Sequence, residues 1–126
     1  MHKGVLVGKD VLKLKGIAEW VDRLKGKAGV YSRTSGPYRV YLIAMGECPT
    51  GGYMVTIKDI RNEGKRWLVK VVFDEPQPED IVTQVVTYPH QVVAIPDDGL
   101  QVMVWRLNGK SLREHEDLPV IQEAMP

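Results

Sequence analysis

Eighteen valines and seven isoleucines stand against ten leucines and five alanines in this chain of 126 residues. β-Branched side chains are stiff at their first torsion and suit a pleated surface, whereas Ala and Leu favour helices. The count therefore commits most of the chain to strands. The length suits one compact unit with a single core. The expected organisation is one domain over 1–126, with a β core at 28–107, a helix at 17–25 and a loosely packed tail at 110–126.

Helical periodicity occurs once. Ile17, Trp20, Val21 and Leu24 fall at i, i+3, i+4 and i+7, with Glu19, Asp22, Arg23 and Lys25 on the other side. Gly26 stands where a left-handed cap is expected. From Ala28 onward the pattern is that of short strands separated by turns. Val30–Ser32 and Tyr38–Met45 flank Ser35-Gly36-Pro37; Tyr53–Ile60 and Arg66–Phe73 flank Arg61-Asn62-Glu63-Gly64-Lys65. The prolines and acids of 74–80 predict an exposed loop. Strands are then predicted over Ile81–Thr87, Gln91–Ile95 and Leu100–Leu107, the last closed by Asn108-Gly109. Val40, Leu42, Val55, Ile57, Val69, Val71, Val85 and Val93 fall on the apolar side of these strands and should share one core. The fold class is mainly β: a small antiparallel sandwich or partly open barrel with one short N-terminal helix. No helix-length segments separate the later strands, so parallel βαβ units are not expected.

Composition excludes several functions. Net charge is +1, with +6 in residues 1–39 and −5 in the remainder, so no overall basic field advertises nucleic acid. No apolar run is long enough to insert in a membrane. The N-terminal residues are interrupted by charge too early for an export signal, which makes a cytoplasmic location the default. Cys48 is the only cysteine, so no internal disulfide forms. His115 lies among Arg113, Glu114, Glu116 and Asp117 without a second His or Cys at ligand spacing, so no metal is expected. The paired acids Asp74/Glu75, Glu79/Asp80 and Asp97/Asp98 sit in turns, and Ser32, Ser35 and Ser111 lack a strand–elbow–helix setting. No catalytic residues and no cofactor are expected. Gly51-Gly52 precedes a strand rather than a helix and lacks a P-loop's lysine and serine. Tyr38, Tyr41, Tyr53, Trp67 and Trp105 offer either a stacking platform for bases or sugars or a core face.

Gly46-Glu47-Cys48-Pro49-Thr50-Gly51-Gly52-Tyr53, with Val55 and Ile57 after it, resembles the loop and strand of the PrcB C-terminal domain family. The acid-and-proline run 75–80 and the stretch Thr83-Gln84-Val85-Val86-Thr87-Tyr88-Pro89 resemble that family's connection and closing motif. The resemblance spans about Tyr38 to Ile95. It implies a small non-catalytic β domain of bacteria, associated by name with a surface protease complex, with relatives that are exported or anchored. Cys48 and His90 are not tied to the motif. Pro49-Thr50-Gly51-Gly52-Tyr53 is also similar to the P-T-T-G-Y loop of chagasin-type cysteine protease inhibitors, with Gly51 in place of the second threonine.

Three readings follow. The first is a non-catalytic, protein-binding β domain whose partner is another protein, with a protease as the partner class that the resemblance implies. Its expected surface comprises Cys48, Pro49, Thr50, Gly51, Gly52, Tyr53, Tyr88, Pro89 and His90. The second is a chagasin-like inhibitor presenting Pro49–Tyr53, and the third a small-ligand or glycan-binding module.

Overall fold

A computed structural model of the chain describes residues 4–108 and 114–123. The elements run β1 (Leu6–Val7), α1 (Lys9–Leu12), α2 (Ile17–Leu24), β2 (Gly29–Ser35), β3 (Tyr38–Ala44), β4 (Met54–Asn62) and β5 (Arg66–Asp74). They continue with β6 (His90–Pro96), β7 (Gln101–Leu107), β8 (His115–Leu118) and β9 (Val120–Gln122). Two sheets form, ordered β1-β6-β3-β2-β9 and β4-β5-β7-β8. This is a sandwich with no closed barrel.

The sheets face one another across Val30, Tyr41, Ile43, Val93 and Ile95 on one side and Val55, Ile60, Trp67, Val69, Val71 and Val104 on the other. A second core lies on the outer face of the five-stranded sheet. There Val11, Ile17, Trp20 and Val21 pack on Tyr31, Val40, Leu42, Ala44, Val92 and Ala94. The expected single core is therefore two. Alternation explains the split: successive residues of a strand point to opposite faces, and β3 and β6 are buried on both. Of the eight expected core residues, Val40, Leu42, Val55, Val69, Val71 and Val93 are buried and Ile57 is half-buried.

Helix α2 agrees with the periodicity to within one residue. Its first turn follows Gly16, whose φ of 76° is left-handed, and no side chain caps it. Glu19 in the first turn and Arg23 in the last complement the helix dipole. So short a helix depends on burying its stripe. It ends on Lys25 in the right-handed region, and Gly26 is not among the glycines with positive φ. The one-turn α1 is an additional helix that Lys9–Leu12 is too short to announce by period.

Two pairings are parallel, β2 with β9 and β5 with β7. The expectation of an antiparallel fold fails there because a crossover need not be a helix. Between β5 and β7 the chain crosses to the other sheet, runs as β6 and returns. Within the described part of the tail, β8 pairs with β7 and β9 with β2. The ring of His115 stacks on Trp105 with centroids 3.7 Å apart. Gly109 and Arg113, which figured in the expected turn and acidic cluster, lie outside the described residues.

The largest departure is Ile81–Thr87. No strand forms there, and Val85, placed in the core by sequence, is 54% exposed. Ile81, Val82, Val85 and Val86 are apolar in adjacent pairs, which matches neither face of a half-buried strand. Among the described residues, no helix is long and apolar enough to cross a membrane.

One polar contact fixes the β6–β7 turn. Trp67 donates its indole N–H to Asp98 Oδ2 at 3.0 Å, and the Leu100 N–H reaches Oδ1 at 3.1 Å. The indole bond above all holds the Asp98 carboxyl below its ordinary value. Its stabilising contribution is therefore complete above the unfolded carboxylate pKa of ~3.9 and fades as pH falls through the lower folded value. Asp98→Asn should narrow the gap between urea midpoints measured at pH 7 and pH 2. An unchanged gap would show that the contact has no part in acid sensitivity.

Candidate functional site

Residues 45–53 connect β3 to β4, and residues 75–89 connect β5 to β6. β3 and β6 are neighbours, with Ala44 opposite His90, so both connections leave the same end of the sandwich. They are then joined along their length. Met45 N–H donates to Pro89 O at 3.0 Å, and Cys48 and Thr87 exchange two backbone bonds of 2.9 Å. Gly51 N–H donates to Thr83 O at 2.9 Å, and the Thr87 hydroxyl donates to Thr50 O at 2.8 Å. Thr83 and Thr87 thus bond their backbone to a loop rather than into a sheet.

Glycine permits this approach. Gly52 has φ 91°, and a Cβ there would lie 2.8 Å from Pro76 Cβ and 2.9 Å from Val82 Cγ1. Gly46, at φ 83°, would place a Cβ 2.8 Å from the backbone nitrogen of Ala28. Gly51 carries no positive φ. A turn stiffens the arm where Gln77 N–H reaches Asp80 Oδ2 at 2.8 Å and Asp80 N–H reaches Gln77 O at 3.0 Å.

The nine expected residues fall together at this end but differ in access. Pro49, Gly52 and Tyr88 are exposed, whereas Thr50, Gly51, Tyr53, Pro89 and His90 are half-buried. The Thr50 hydroxyl donates to Gly51 O at 2.9 Å. Tyr88 lies beside the end of α2, its ring centroid 5.9 Å from Lys25 Nζ. His90 Nδ1–H donates to the Tyr88 carbonyl at 2.6 Å. Cys48 is buried, and burial first, then the charge of Glu75, pushes its thiol above the ordinary range. A neutral, covered thiol is a poor nucleophile.

The sequence missed the arm. Ile81 is fully exposed, Val85 and Val86 are about half exposed, and Tyr88 and Met54 add to them. These are five of the seven large apolar residues exposed among the described residues, so the exposed apolar surface is concentrated here. The paired spacing of 81, 82, 85 and 86 was the available signal. The aromatic platform does not assemble. Tyr41 and Trp67 are buried between the sheets, while Tyr38 packs with the helix-side core.

Residues 39–96 match the family model described as PrcB C-terminal. This segment belongs to that family. The PrcB C-terminal segment takes in β3 to β6, and with them both connections of the candidate site. The helices, β1, β2 and β7–β9 lie outside the match. No curated protein and no solved structure matches the chain.

Proposed function

We propose that this chain is a non-enzymatic module that binds another protein through the rim formed by 47–53 and the arm 75–90. The observation that carries the reading is the arm itself. Its apolar side chains face solvent while its backbone is fastened to the glycine-rich loop. Concentrated exposed apolar surface marks interaction sites, and a pre-ordered loop loses little entropy on binding. The family's name supports a protease-complex component as the class of partner. The chagasin-like mode is disfavoured by the same backbone bonds, because the loop Pro49–Tyr53 is backed by residues 83–87 rather than projecting as a free wedge.

Capture from lysate of the native host, read by mass spectrometry, tests this reading with three baits. The unaltered chain should retain a protein that Thr50→Arg and Ile81→Asp both lose. Ile81→Asp, at a fully exposed side chain, should stay within about 0.5 kcal/mol of the parent in unfolding free energy, and Thr50→Arg, at a half-buried one, should remain cooperatively folded. Identical captures from all three baits would refute the assigned surface. Inhibition of a papain-type protease at micromolar concentration would instead favour the inhibitor mode.

A further inference from the structure

Beside this rim, the two sheets part around a groove of about 450 Å³, within the range of small-molecule sites. Val30, buried in the core between the sheets, is part of its lining. The half-buried Met45, Phe73 and Leu118 also line it and pack against the same core. Two charged residues border the groove, Arg106 and Glu75, both exposed. The Arg106 guanidinium lies over the Phe73 ring at 4.5 Å, a placement that holds a cation without neutralising it. Glu116 stands opposite Arg106 in the β7–β8 ladder, yet among the described residues Arg106 makes no ion pair.

We propose that this groove binds a single-chain zwitterionic amphiphile, with the chain along the Val30, Met45, Phe73 and Leu118 surface and the head group between Arg106 and Glu75. The argument is one of complementarity. The apolar lining asks for a hydrocarbon body, since covering it removes apolar surface from water. The border carries one charge of each sign, so an anionic head meets an opposing carboxylate and a cationic head an opposing guanidinium. A head group bearing both charges satisfies both. This goes beyond the protein-binding rim, because the groove shares only Glu75, at the base of the arm, with it.

The test compares decylphosphocholine, decanoate, decyltrimethylammonium and decyl maltoside, each below its micelle concentration, by calorimetry and by methyl NMR of Ala28, Met45 and Leu118. Decylphosphocholine should bind saturably and more tightly than the three others, by about fivefold, as an exposed charge pair allows. Arg106→Gln should shift the preference toward the cationic amphiphile and Glu75→Gln toward the anionic one. Thr50→Arg should change neither, which separates this proposal from the protein-binding reading. Equal binding of all four, absence of saturable binding, or a preference that neither substitution moves would overturn it.

Discussion

Replacing Trp20 by alanine is expected to lower the unfolding free energy by about 3–5 kcal/mol, the usual cost of removing a buried large aromatic side chain. Trp20 is 1% exposed and belongs to the cluster that seals α2 against the outer face of the five-stranded sheet. Helix α2 has only eight residues and no side-chain N-cap, so its formation depends on this contact. The indole adds a second, opposing effect. Its Nε1 is buried with no hydrogen-bond partner, which carries a desolvation penalty. Trp20→Phe removes that orphan donor along with part of the ring, and should cost less than about 1.5 kcal/mol. Urea unfolding of both variants gives the comparison. A Trp20→Ala loss near zero would mean that the helices are not part of the cooperative unit. A Trp20→Phe loss as large as that of alanine would mean that the indole N–H is satisfied in solution.

What the sequence revealed depended on the range of the forces involved. The β4–β5 hairpin was legible because Val55 and Ile57 alternate with Thr56 and Lys58, Trp67, Val69, Val71 and Phe73 recur at every second position, and Gly64 takes φ 89° in the turn. The helix was legible because one stripe of four apolar residues repeats at 3.6. The double-sided burial of β3 was present as the unbroken run Val40-Tyr41-Leu42-Ile43-Ala44, which period-two reasoning read as one-sided. The pairing of β8 was not legible because His115-Glu116-Asp117-Leu118 has the charged composition of an exposed segment, and it pairs at a sheet edge. At the candidate site, the adjacent Gly51 and Gly52 are costly in chain entropy and so ask for a backbone shape that other residues resist, which Gly52 adopts at φ 91°. Which distant residues press on Gly52 was not visible. Pro76 and Val82 lie well along the chain, and nothing local encodes that approach.

Gly52→Val is the second substitution with a large expected effect, a loss of about 2–5 kcal/mol from two sources. A β-branched residue at φ 91° is strained by about 1–2 kcal/mol. Its Cβ would also stand 2.8 Å from Pro76 Cβ and 2.9 Å from Val82 Cγ1, and overpacking of this kind costs about 1–3 kcal/mol more. Gly36→Val provides the reference. Gly36 has a positive φ of 56° in the β2–β3 turn, and a Cβ there would meet nothing within 4 Å, so that variant carries the strain without the collision. The excess loss in Gly52→Val therefore measures how firmly the arm is pressed on the loop. The collision is relieved most easily by lifting 76–87 away, because few buried contacts hold that segment. Cleavage after the exposed Glu79 by a glutamate-specific protease should then accelerate in Gly52→Val and stay unchanged in Gly36→Val. If both variants lose equal stability and are cut at equal rates, Gly52 is no more than a turn glycine, and the arm is not held in place by its contact with the loop.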